Sequence, residues 1–233
     1  MTRGKIIVAL LLFVLFSHQL PYAWALTSGP RDPNTVVTEG SGLAWNNPNN
    51  AKASDNLWAV AFGYDGQTSQ RLRATNFGFN IPLGFQITGI KVEIERSLYP
   101  GALAVIKDVE VKIVKSDGSV GTENKAALAT VWPDADAYRT YGGEGALWSE
   151  TWSTSDINDP DFGVVISAEL VFTGTGGAEA RIDHVRITIY YSVAVGGVIV
   201  PLNTLSVLAP YLAMIGLVAV ATTAAIVVKK RRN

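Results

Sequence analysis

The acids, histidines and aromatic rings of this chain are few enough to test one by one for chemistry. Cysteine is absent, and the histidines are His18 and His184. A Cys–His pair is therefore excluded, as is a metal site built on several histidines. A Ser–His–Asp triad would have to use His184, which sits in an alternating run with Asp183 directed to the opposite face. A strand histidine, exposed or hydrogen-bonded, fits that setting better. Glu93 and Glu95 are the pair to test for glycosidase chemistry. At i, i+2 on a strand they lie ~7 Å apart, within the loose range of paired catalytic carboxylates. Lys91 and Lys112 are expected on the same face, which points instead to a solvated, ion-paired surface. Phosphate-cradling glycine loops and helix-borne ligand pairs do not occur. No residue is assigned a catalytic role.

Two clusters remain. Asp156, Asn158, Asp159 and Asp161 bring four side-chain oxygen donors together around Pro160. Calcium takes about six to eight oxygens, and such a loop could supply several of them. The alternative is an Asx-turn loop whose side chains cap their own backbone. Asp134 and Asp136 form a smaller cluster of the same kind. The aromatic cluster holds Trp132, Tyr138, Tyr141, Trp148 and Trp152, beside Gly142 and Gly143. Aromatic platforms bind sugar faces, and Trp and Tyr dominate protein interfaces. Trp132, next to Pro133 and acidic residues, is expected to be exposed and to form a ligand platform with Tyr138 and Tyr141. Trp148 and Trp152 are expected in the core.

The elements that must position these residues are strands. Residues 26–44 read as a leader or edge segment, and Leu57–Tyr64 as a short aromatic strand. In Gln86–Ser97, Ile90, Val92 and Ile94 alternate with Lys91, Glu93 and Glu95, and Ile87 departs from the pattern. Asp108–Lys115 places Val109, Val111 and Ile113 inward and Glu110 and Lys112 outward. Val164–Phe172 is another strand. Arg181–Tyr191 sets Val185, Ile187, Ile189 and Tyr191 against His184, Arg186, Thr188 and Tyr190. About eight strands and no sustained helical period predict an all-β domain over 45–192, two antiparallel sheets packed as a β-sandwich.

Six blocks occur in order: Trp45–Asn56, Ala74–Pro82, Gly89–Arg96, Leu147–Trp152, Asp156–Val164 and Ile182–Tyr191. The series resembles a β-sandwich module, jelly-roll-like, of phage structural and prokaryotic surface proteins. It covers residues 36–192 and implies a structural or adhesive domain, with no defined activity.

The chain ends carry targeting signals. Arg3 and Lys5 precede an eleven-residue apolar run, Ile6–Phe16, and Ala23-Trp24-Ala25 supplies a cleavage site. Residues 1–25 are thus expected to be a signal peptide. Leu205–Val228 is uncharged for twenty-four residues, enough to span a ~30 Å hydrocarbon core, and Lys229–Arg232 follows at once. Residues 205–228 are expected to form a transmembrane helix, with 193–204 a short stalk and 229–233 a cytoplasmic basic stub. The segment Val198–Tyr211 resembles the C-terminal tails of archaeal surface proteins. Net charge is −1, so nucleic acid is not an expected partner. The expected protein is a membrane-anchored, non-catalytic cell-surface module for adhesion, envelope structure or partner binding. Its partners would be the membrane and a glycan or neighbouring surface protein. Alternatives are a carbohydrate-binding domain and a tethered glycoside hydrolase. Protease added outside intact cells should degrade 26–196 and leave a C-terminal tag intact; cleavage of that tag from outside would reverse the orientation.

Overall fold

The computed structural model describes residues 25–99, 103–172 and 177–193, with Met214, Lys230 and Arg231. The chain divides into the units Met1–Val195 and Gly196–Asn233, and every strand among the described residues belongs to the first. The expected signal peptide and spanning helix lie outside the described residues, save for Ala25 and Met214. No helix among the described residues is long and apolar enough to cross a membrane.

In chain order the strands are β1 (Ala25–Arg31), β2 (Thr35–Glu39), β3 (Ala59–Gly63), β4 (Gln67–Thr68), β5 (Arg71–Thr75), β6 (Phe85–Leu98), β7 (Ala104–Val114), β8 (Ala137–Glu144), β9 (Gly163–Phe172) and β10 (Ala178–Val193). A short helix, α1 (Thr154–Asn158), precedes β9. They form two five-stranded sheets, antiparallel throughout. Sheet I has the order β1-β10-β6-β8, with β3 taking the first half of the β10 edge that β1 takes later. Sheet II has β2-β5-β9, with β7 on the far edge of β9 and β4 next to β5 along the same edge of β9. From β6 onward each strand lies in the other sheet from the one before it. Two hydrophobic faces are thereby closed over one core, as alternation predicts. Ile90, Val92 and Ile94 of β6 and Ile182, Val185, Ile187 and Ile189 of β10 are buried in it. Val111, Ile113, Val164, Ile166 and Leu170 line it from sheet II.

Three bulges change what period-two counting gives. Ile87 pairs with Tyr191 and Gly89 with Tyr190, so Thr88 is extra and Ile87 returns to the buried face. On β10 the register passes from Ile182–Arg96 to His184–Glu95, leaving Asp183 extra. Asp183 is therefore not simply opposed to His184. Its carboxylate accepts the Asp55 and Asn56 amides at 3.4 and 3.2 Å, in the same loop whose Lys52 bridges His184. On β7 the extra residue is Val109, between Asp108 and Glu110. The inward residue expected there was Val109, but Val109 is only half-buried and Asp108 is the buried one.

The buried Asp108 is satisfied by four donors. Arg96 and Trp132 Nε1 donate to Oδ1, and the Ala127 amide and Tyr141 hydroxyl donate to Oδ2. Arg96 also lies 4.9 Å from the Trp132 ring centre and 5.9 Å from that of Tyr141. Burial draws the Arg96 guanidinium below its ordinary pKa, against the pull of Tyr141 and Asp108. Burial likewise raises the Tyr141 hydroxyl, with Asp108 adding to the rise, so it stays protonated and donates. Asp108→Ala would leave Arg96 as an uncompensated buried charge. It should lower the unfolding free energy of a 25–195 fragment by about 3–5 kcal/mol. Arg96→Met combined with Asp108→Leu should recover part of the loss. Urea denaturation measures both, and a single-variant loss below about 1 kcal/mol would put the pair in the range of surface ion pairs.

Candidate functional site

The expected aromatic platform is not assembled. Trp132 is 1% exposed and Tyr141 3%, both committed to Asp108 in the interior. The expectation that Trp132 is exposed fails because an inward carboxylate one bulge away on β7 needs N–H and O–H donors. Of the three, only Tyr138 lies toward the outside, half-buried on β8 opposite Glu95. Its hydroxyl is 2.8 Å from His184 Nδ1, and the Arg186 guanidinium lies 4.0 Å from its ring centre. His184 Nε2 in turn meets Asp32 at 2.9 Å. Trp148 and Trp152 are buried, as expected, with N–H groups on the Ile90 and Leu147 carbonyls.

The acidic loop is likewise occupied with its own backbone. Asp156 and Ser153 form a capping box on α1, and Ser116 Oγ donates to the other Asp156 oxygen at 2.8 Å. Asn158 clasps Ile81, accepting its amide at 2.8 Å and donating to its carbonyl at 2.9 Å. Asp159 accepts the Asp161 amide at 2.9 Å in an Asx turn. Of the four, Asp156 and Asn158 would have to give up these bonds to hold a cation. No group of three or more His, Asp or Glu side chains among the described residues is placed to hold a metal. Asp136 serves structure too, accepting from Trp58 Nε1 and from Ser97 Oγ at 2.6 Å.

The outer face of sheet I carries the remaining polar chemistry. Glu93 pairs with Lys91 at 3.0 Å and Arg186 at 3.3 Å. Burial works to raise the Glu93 pKa, yet hydrogen bonds from those two cations hold it below its ordinary value. A general acid needs the opposite shift. Glu95, two residues on, has Oε2 buried without a hydrogen-bond partner. The outer face of sheet II is an ion-paired surface: Arg71 with Glu110, Lys112 with Glu110, and Arg73 with Glu39. Lys112 thus faces away from sheet I and does not share a surface with Glu93.

A different aromatic group stands at one end of sheet I. Phe62, Tyr64 and Tyr99 are 46%, 60% and 50% exposed, and no other Phe, Tyr or Trp ring among the described residues is as open. Phe62 and Tyr64 meet edge to face, 5.8 Å between centres. Arg181 of β10 lies 4.4 Å from the Tyr99 ring centre and 4.8 Å from that of half-buried Trp58, and pairs with Glu179 at 2.9 Å. The sequence carried a signal for this group. In Ala59-Val60-Ala61-Phe62-Gly63-Tyr64 the small residues take the core face and the bulky ones the solvent face.

No protein-family model matches the chain, and no curated protein sequence matches it. Among solved structures it is similar to one of infectious bursal disease virus, Gx strain, at 12% identity and TM-score 0.34. That match covers 76% of this chain, which spans about a third of the virus chain's length (33%). TmCBM61 in complex with β-1,4-galactotriose is similar at 11% identity and TM-score 0.24, covering 74% of this chain and 92% of that one. The CBM22-1 xylan-binding domain of Paenibacillus barcinonensis Xyn10C is similar at 13% identity and TM-score 0.23, covering 70% and 97%.

The capping box at Asp156 makes stability depend on pH. Hydrogen bonds from Ser153 are the largest cause holding Asp156 below its ordinary carboxylate value of 3.8, with burial opposing. The stability it contributes is full above that unfolded value and is lost as pH falls through the lower folded one. Asp156→Ala should cost about 1 kcal/mol at neutral pH through loss of the helix cap. The gap to the parent should close in acid below pH 3.8, and a gap that widens there would exclude the capping role.

Proposed function

We propose that this chain is a non-catalytic module of a cell surface, exported by residues 1–25 and held by a helix over 205–228. The described sandwich would face outward and contact envelope material or a neighbouring molecule. The observation that carries this reading is the state of sheet I's outer face. One acid of the pair tested for glycosidase chemistry, Glu93, is held ionised by two cations, while open aromatic rings stand at one end of the same sheet. Acid–base hydrolysis is thereby disfavoured and contact with a partner favoured.

The strand order supports a jelly-roll reading of the fold. β3-β10-β6-β8 stands opposite β5-β9-β7, and the connection after β7 fills the place of an eighth strand. That connection runs beside β7 with Gly121, Lys125 and Trp132 amides donating to the Ile113, Val111 and Ile106 carbonyls. It bonds too irregularly to form a named strand.

A soluble 25–195 fragment, added to envelopes stripped of the native protein, should bind saturably. Arg181→Ala on sheet I should weaken that binding by about tenfold, and Lys112→Ala on sheet II should leave it unchanged. Equal effects of the two, or no saturable binding, would remove the proposal.

A further inference from the structure

We propose that the aromatic end of sheet I is a binding site for a neutral oligosaccharide, centred on Phe62, Tyr99 and Arg181. The inference rests on the surface-module reading above and names the ligand class for that face.

The register builds the site. Phe62 pairs with Glu179 across β3 and β10, and the Tyr99 amide donates to the Glu179 carbonyl at 3.1 Å. Ala61, Ala180 and Leu98, each one residue away, are buried, so Phe62, Glu179 and Tyr99 form one outward row across three strands. Phe62 and Tyr99 therefore stand two strand spacings apart, roughly 9.5 Å. That separation addresses successive rings of an oligosaccharide and exceeds the width of one sugar. Arg181 and half-buried Trp58 occupy the adjoining position, next to Asp136. Gly177 makes room for the outer ring: a β-carbon there would come within 2.3 Å of Phe62 Cζ.

Charge selects the ligand class. The Arg181 cation is matched by Glu179, so no surplus cation among these residues would hold a sulfate or uronate. Asp136 keeps its charge, but both its oxygens are taken by the Trp58 N–H and the Ser97 hydroxyl. What the row offers is apolar ring faces edged by fixed donors and acceptors. Pyranose rings are complementary to it, with apolar C–H faces and hydroxyl rims that both donate and accept. An extended peptide would add along a groove or a strand edge, whereas this row of rings runs across the strands, from β3 at the sheet's edge over β10 to the end of β6.

The test uses the full chain in detergent on an array of neutral, uronic and sulfated oligosaccharides. Retention of neutral oligosaccharides is expected. Phe62→Ala and Tyr99→Ala should each weaken it by about tenfold or more at unchanged melting temperature. Gly177→Val, which displaces the Phe62 ring without removing it, should weaken it too. Leu83→Ala, at an exposed apolar residue elsewhere, should have no effect. Retention of only sulfated or uronic chains would overturn the neutral-ligand assignment. No retention of any saccharide would overturn the saccharide site, while saturable envelope binding would still leave the surface-module reading standing. Concentration-dependent dimerisation abolished by Phe62→Ala and Tyr99→Ala, without saccharide binding, would replace the sugar by a second copy of the chain.

Discussion

The ion pair between Arg96 and Asp108 is the constraint to which the rest of the sandwich is fitted. Arg96 belongs to β6 of one sheet and Asp108 to β7 of the other, and their side chains are 2% and 0% exposed. Burying such a pair costs several kcal/mol per ion in desolvation, which only dense hydrogen bonding offsets. The structure meets that demand at Asp108, while Arg96 Nε is buried without a hydrogen-bond partner. Tyr141 comes from β8, and Trp132 and the Ala127 amide from the connection between β7 and β8. One carboxylate thus fixes how the sheets face each other, where the bulge on β7 falls, and which way an irregular connection runs. A pair of leucines would fill the same space but specify none of these relations. Without disulfides, the chain depends on packing and such directional contacts for a single native arrangement.

Packing also decides which surfaces are left apolar. Around Arg96 the core is filled by large residues: Trp132, Tyr141, Ile94, Ile106. At the β3 end the inward positions are Ala59, Ala61, Gly63, Ala178 and Ala180. There the bulky members of the alternation point out, and Phe62 and Tyr64 are the consequence. Burial could have used those rings, since an aromatic side chain buries about 150–250 Å². Their placement outside is an outlay of apolar surface that folding stability does not explain.

Much of this fold is legible in period-two alternation. β6, β9 and β10 lie within a few residues of their expected bounds, because each has one face that must be apolar. What alternation cannot show is a single inserted residue. At Val109 it exchanges the buried residue for Asp108, and with that the fates of Trp132 and Tyr141. Composition alone made those rings look like a platform, since nothing in a linear sequence says that a buried carboxylate will recruit them. The acidic loop shows the self-capping that its sequence left open beside a cation site, since oxygen donors close in sequence cap nearby amides as readily as they gather around an ion. Phe62 and Tyr99 are thirty-seven positions apart and come together only through their shared neighbour Glu179. Pairing, which no local pattern specifies, is what makes them one surface.

β10 joins these arguments through its length. It is the longest strand among the described residues, sixteen residues, and serves as the spine of sheet I. Its first half pairs with β3 beside the open rings, and its second half pairs with β1. Ala25 and Ser192 are register partners, so the chain enters and leaves the described sandwich at the same end. From Glu179 to Val193 the strand covers fourteen steps, roughly 45 Å at 3.3 Å per residue. A chain held through its C-terminal segment would therefore be held at the end of β10 away from Phe62 and Tyr99. On the proposed reading, attachment and recognition would use opposite ends of one strand, so neither would require the other to move.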